Sequence, residues 1–243
     1  MKCKECNTEM FIDTGKEKCC PTCNPSCSCG KYVEIWNNVF MQYNHEQDGT
    51  FTPLKNKNVD TGLGVERVVA VLEGVTDNYK SSIWKDVIAK IEEITDLSYD
   101  DEKYTRSMRI IADHIRAIVM ISGDDTLIKP SNTDQGYILR RLIRRAIRHA
   151  KTLNIDINSD WEQEIAKLLL EKYKVYYKEL VDNYDVVLEV LRSEKVKFNR
   201  TLEKGLREFE KITSNLTCNI LDKNLAFKLY DTYGFPIELT EEL

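Results

Sequence analysis

Between 31 and 44 the mostly apolar series Val33, Ile35, Asn37, Val39, Met41 and Tyr43 alternates with the mixed series Tyr32, Glu34, Trp36, Asn38, Phe40 and Gln42. A period of two in a β-branched and aromatic stretch predicts one long strand with both faces partly covered. A shorter strand is expected over 8–13, and Asp48-Gly49 inside the turn 45–50 predicts that 51–54 runs back antiparallel. After Gly64 the spacing lengthens to that of a helix, with Val65, Val68, Val69 and Leu72 on one side and Gly74 as the stop. A second amphipathic helix is expected over 81–94, and the polar stretch 95–103 marks a domain boundary, giving domains 1–98 and 99–243. Beyond it the periodicity predicts helices over 104–122, 135–153, 160–180 and 184–212. Only 10 glycines and 5 prolines in 243 residues leave such helices few breakers. Thr240-Glu-Glu-Leu243 reads as an N-cap and acidic first turn of a further helix that stops short. The expected class is α+β, an antiparallel sheet with flanking helices followed by an all-α domain.

Composition narrows the chemistry. At 42% hydrophobic the chain can bury a real core, and no apolar run approaches the roughly 18 residues of a membrane span. Without the apolar stretch of a signal peptide at its start, it reads as a soluble cytoplasmic protein with no membrane partner. A net charge of -5 excludes a uniformly basic coat, yet Arg140, Arg141, Arg144, Arg145, Arg148 and Lys151 follow one another with no acid between them. On a helix, Leu139, Leu142, Ile143, Ala146 and Ala150 form the apolar stripe, and the arginines flank it. Such flanks suit nucleic-acid phosphate, which supplies affinity and position but little sequence information.

Seven of the 8 cysteines lie in the first thirty residues: Cys3, Cys6, Cys19, Cys20, Cys23, Cys27 and Cys29. In a reducing compartment this density points to metal before disulfides. Cys20-x-x-Cys23 with Cys27-x-Cys29 offers four thiolates to a structural tetrahedral zinc, with Cys3, Cys6 and Cys19 as competing ligands. None of His45, His114 and His149 is paired with a recognisable nucleophile, and His114 reads as a structural histidine between two helices.

The segment 59–67, VDTGLGVER, joins a strand end to a helix start through two glycines. Gly62 and Gly64 allow close approach, the helix N-terminus favours phosphate, Arg67 supplies a planar cation for a purine or phosphate, and Asp60 supplies an anion for an amine. This segment resembles the third signature motif of class II aminoacyl-tRNA synthetases. The preceding YVEIWNNVFMQY (32–43) is similar to the alanine-specific family. So are IADHIRA (111–117), PSN (130–132), GYILRR (136–141) with Arg144-Arg145, and LYDTYGFP (229–236), all in order.

The resemblance implies ATP-dependent attachment of alanine to its tRNA, with magnesium accompanying ATP. It implies that Trp36, Asn37 and Val39 line the alanine site, that Asp60 holds the alanine ammonium, and that Gly62, Gly64 and Arg67 serve ATP. It also implies that Asn132 and Asp231 read the G·U wobble pair of the tRNA acceptor stem, with Arg140, Arg141, Arg144, Arg145 and Arg148 on its backbone. Gln135 stands where the family usually has arginine. The first two signature motifs are not found in the sequence, so the isolated chain is expected not to activate alanine. Three readings follow: a subunit completed by a separate chain, a non-catalytic acceptor-stem binding module, or a fragment of a longer enzyme.

Overall fold

The computed structural model describes residues 9–214 and 220–233 with positions 237 and 240, apart from the side chains at 202, 203 and 231–233. Cys3, Cys6 and the acidic turn expected at 241–243 lie outside the described residues. The fold is α+β. Two compact units separate at the start of the second helix, Met1–Lys85 and Asp86–Leu243.

The first unit is built on an antiparallel sheet of order β1-β2-β3, with β1 Glu9–Asp13, β2 Tyr32–His45 and β3 Phe51–Leu63. The alternation over 31–44 thus becomes β2, and the Asp-Gly turn does reverse the chain, Gly49 at φ 84° taking the left-handed conformation. The returning strand is longer than the four residues expected. Tyr43 pairs with Pro53 and Met41 with Asn58, so a register shift absorbs the polar stretch between 53 and 58 and the ladder resumes into the glycine motif. Proline is tolerated in β3 because one side of the strand carries no ladder partner among the described residues. Cover on both faces was expected, but from Val39 to His45 every β2 residue is exposed.

Helix α1, Val65–Leu72, follows β3 after a single residue, and Ala70 is its buried position. Residues 81–84, expected within a helix, form a turn instead. Ser81 Oγ donates to the Asn78 carbonyl at 2.6 Å and Trp84 is buried with its ring 5.0 Å from that of Tyr79. A bulky indole anchored there delays the helix, so α2 spans Lys85–Thr95.

The second unit has helices and connecting loops but no strand among its described residues: nearly all of α2, then α3 Glu102–Gly123, α4 Asp134–Thr152, α5 Trp161–Tyr173, α6 Glu179–Asp182, α7 Tyr184–Thr213 and α8 Lys223–Tyr233. Its core is formed by fully buried side chains at helical spacing, among them Met108, Ile111, Ile115 and Ile118 of α3 and Leu139, Ile143 and Ile147 of α4. The single helix expected over 160–180 is broken into α5 and α6. Leu180 packs so closely on α3 that a Cβ at Gly123 would lie 2.5 Å from Leu180 Cδ2, and Asn183 Nδ2 donates to the Gly123 carbonyl at 3.1 Å. Docking Leu180 there bends the chain out of the α5 axis and leaves Val175 and Tyr176 in solvent.

Candidate functional site

The register of β2 against β3 gathers most of the predicted pocket residues. Asn37 pairs with Gly62 and Val39 with Asp60, so these four occupy one face of the strand pair. Trp36 pairs with Leu63 and therefore lies on the other face, with Asn38, Phe40, Thr61 and Val59. At Gly62 a Cβ would sit 2.7 Å from Asn37 Oδ1, the rotatable end of that side chain. The close approach therefore accommodates a neighbouring side chain.

Beyond Gly62 the ladder runs into the helix. Gly64 N–H donates to the Ile35 carbonyl at 3.0 Å, Val68 N–H to the Gly64 carbonyl at 2.9 Å, and the exposed Arg67 reaches back so that NH1 donates to the Glu34 carbonyl at 2.7 Å. Arg67 is thus fixed to the strand carrying Asn37 and Val39. Asp60 Oδ1 accepts from the Thr61 N–H at 2.9 Å, which orients the carboxylate and leaves it exposed. A carboxylate and a carboxamide on one strand-pair face, followed by a cation at a helix start, can bind an ammonium group and a phosphate or purine side by side.

In the second unit, Asn132 is exposed in the loop before α4. That loop folds tightly onto Gly136, where a Cβ would lie 2.5 Å from the Lys129 carbonyl and would strike Ser131 Oγ, while Ser131 N–H donates to the Gly136 carbonyl at 3.0 Å. Arg140 NH1 donates to Asn132 Oδ1, and Arg140 Nε to Glu194 Oε1 at 3.2 Å. Asn132 is therefore linked through Arg140 to a buried carboxylate on α7. Arg144 donates to the same oxygen at 2.8 Å, is 7% exposed, and has its guanidinium carbon 4.9 Å from the Phe198 ring centre. Burial holds its pKa below the usual arginine value, with Glu194 opposing the shift. Arg140, Arg141, Arg145 and Arg148 are half-buried. Asp231 belongs to α8, and its side chain lies outside the described residues.

Two arginines not singled out by the sequence join this region. Arg106 and Arg109, at i and i+3 on α3, line with Arg145 an open cavity of about 610 Å³ that also includes Glu102, Thr105 and Ile110. Their spacing was the available signal, obscured because the cationic run on α4 is denser. His114 is buried beside Asp113, Nδ1 to Oδ2 3.1 Å, and its Nε2 lies 3.4 Å from Arg145 NH1. Hydrogen bonding to His114 lowers the Asp113 pKa below the ordinary carboxylate value.

The cysteines lie on the connection between β1 and β2. The Sγ atoms of Cys19, Cys23 and Cys27 all fall within 4.8 Å of one another, and Cys23 Sγ is 3.7 Å from Cys29 Sγ. Cys20 Sγ is 3.9 Å from Cys19 Sγ and 3.4 Å from Thr22 Oγ1. Hydrogen bonding with Cys23 and Cys29 pushes the Cys19 thiol up, the Thr22 hydroxyl lowers Cys20, and the Lys31 backbone N–H lowers Cys29.

The family described as tRNA synthetases class II (A) matches residues 1–243. Within that class the chain belongs to the alanyl-tRNA synthetase family. It is 48% identical over 238 residues to the alanine–tRNA ligase of Borrelia hermsii and 52% identical over 241 residues to that of Treponema denticola. Each match covers 98% of this chain and 40% of the relative. The alanine–tRNA ligase of Thermotoga maritima is 42% identical over 241 residues, 98% of this chain and 27% of that protein.

Proposed function

We propose that this chain serves the ATP-dependent attachment of alanine to tRNA, supplying one wall of the alanine and ATP pocket together with an acceptor-stem reader. The observation that carries the reading is the common face of Asn37, Val39, Asp60 and Gly62, leading directly into Gly64 and Arg67. Asp60 would hold the alanine ammonium, Asn37 and the Val39 backbone would border its methyl and carboxylate, and Arg67 would engage ATP carrying its magnesium. Trp36, on the other face, would act by supporting the strand pair.

The domain division proposed is 1–98 for the catalytic part and 99–243 for tRNA recognition. In the latter, Asn132 and Asp231 would read the G·U pair in the shallow minor groove, and the arginines of α4 would meet phosphate. The cytoplasm is the proposed compartment, as translation requires. A second reading, favoured by the exposure of Phe40 at 58%, Val59 at 56% and Tyr43 at 59%, is that further polypeptide, from this protein or another chain, covers these sheet faces in the working enzyme.

The test is a titration of the isotopically labelled chain with a non-hydrolysable alanyl-adenylate analogue, followed by amide chemical shifts. The expected perturbations fall at Asn37, Val39, Asp60, Gly62 and Arg67 and vanish in D60A. Perturbations confined to Phe40 and Asn38, or absent throughout, would refute the assignment.

A further inference from the structure

The outer side of α7 carries a line of cations: Lys197, Arg200, Lys204, Arg207 and Lys211. Separations of three, four, three and four residues keep them on one face of the helix, and all of them are exposed. At 1.5 Å of rise per residue the row is about 21 Å long. The other side of the helix is buried. Val187, Leu191, Glu194 and Phe198 face the core, and Glu194 is the carboxylate held by Arg140 and Arg144. The row therefore points away from the core and from the α4 arginines that reach Glu194.

Most of this charge is not used within the fold. Lys197, Arg200 and Lys204 make no hydrogen bond or ion pair among the described residues, while Lys211 donates to Glu208 at 2.7 Å. Like charges three and four residues apart repel along a helix, so the row is unfavourable in the free protein and is relieved by a polyanion. Beside it lies a cavity of about 350 Å³ whose lining includes Arg200, Lys204, Arg207 and Asn199 and no acidic side chain. Its wall is held in place. Asn199 Nδ2 donates to the Ile157 carbonyl at 2.8 Å, and Lys195, 3% exposed, donates to Glu162 at 2.8 Å and to the Ser159 carbonyl, which fixes the loop 157–159 against α7.

We propose that this row and its cavity bind the sugar-phosphate backbone of RNA, as a second anchoring surface apart from Asn132 and the arginines of α4. Long cationic side chains fanning from a row of this length can meet successive phosphates of one strand, which a single small anion cannot do. Among the described residues from 197 to 211 no large apolar side chain is exposed, so the face has nothing to insert into lipid. Phosphate contacts carry no sequence information, so the surface adds affinity and position without altering the choice between G·U and G·C. That the polyanion is RNA rests on the tRNA reading above; the row itself does not depend on Asn132 or Asp231.

The experiment is equilibrium binding of the full chain to a tRNA transcript with a G·U acceptor pair and to its G·C counterpart, over a range of potassium chloride concentrations. In Arg200→Gln/Lys204→Gln/Arg207→Gln, affinity should fall about tenfold or more near 0.1 M salt, and the slope of log affinity against log salt should become shallower by about two to three. The ratio of G·U to G·C affinity should not change. Lys204→Gln alone should lower the slope by about one. The variant Lys103→Gln/Lys167→Gln/Lys178→Gln removes the same charge from scattered exposed positions and should keep the wild-type slope. Helical circular dichroism shows that each variant is folded.

Equal losses in the two triple variants would overturn the proposal, because they would report net charge alone. If the row variant binds like the wild type while the wild type prefers G·U, the row is refuted and the acceptor-stem reading stands. If the wild type shows no G·U preference but the row variant loses affinity and slope, the row stands and the base reading falls. Loss of binding to phosphatidylserine vesicles with RNA binding intact would assign the row to a membrane surface and overturn the proposal.

Discussion

Gly62 and Gly136 are both crowded, but by different kinds of neighbour. At Gly62 the obstacle is the end of the Asn37 side chain, which can rotate; at Gly136 it is the Lys129 carbonyl together with Ser131. We therefore predict that Gly62→Ala costs less than about 1 kcal/mol of stability, whereas Gly136→Ala costs about 1–3 kcal/mol by forcing the backbone of the Asn132 loop apart. Urea denaturation monitored by helical circular dichroism checks the second. For the first, the Asn37 amide shift on adding the alanyl-adenylate analogue should be lost without loss of fold. Asp113 gives a pH prediction. Its folded pKa is lowered through His114, so the unfolded chain binds the proton more readily as pH falls through the usual carboxylate range near about 3.9. Its contribution is present at neutral pH and lost on acidification. Asp113→Asn should accordingly show a shallower fall of stability between about pH 5 and pH 3, and an unchanged slope would contradict the role given to this pair.

Two arginines of the α4 helix are tied to one buried carboxylate. Arg144 and Arg140 share Glu194, a carboxylate 3% exposed on α7. Removing it in Glu194→Ala leaves a buried guanidinium without its counter-charge and should cost about 3–5 kcal/mol. Arg141→Ala should reduce the salt dependence of the proposed acceptor-stem binding by about one phosphate contact. An unchanged salt dependence in Arg141→Ala would contradict the phosphate role proposed for it. Much of this scale was legible in the sequence. Period-two alternation gave β2, the Asp-Gly turn gave the reversal, and the apolar spacing gave α3, α4 and α7 nearly to their ends. What could not be read were the consequences of distant contacts. The long β3 depends on pairing across a register shift, and the α5–α6 break depends on Leu180 docking at Gly123. The burial of Arg144 depends on a glutamate fifty residues further along the chain. For the proposed site, the family resemblance supplied Asn37, Asp60 and Arg67 as candidates, while only strand register could put Trp36 on the other face.

The whole molecule combines a strand-built unit with exposed apolar faces and a helical unit with a continuous core, over a span that covers 40% of its Borrelia and Treponema relatives. Among the described residues no helix is long and apolar enough to cross a membrane. The helical unit carries its own core, so the proposed RNA recognition is the activity least dependent on the cover of the sheet. Its most direct test is equilibrium binding of the chain to two acceptor-stem hairpins that differ only in a G·U or a G·C pair. The account predicts tighter binding of the G·U hairpin by about 1–3 kcal/mol, the range of a specific base contact. That preference should be abolished by Asn132→Ala and retained in Arg141→Ala at reduced overall affinity. Equal affinity of the wild-type chain for both hairpins would contradict it.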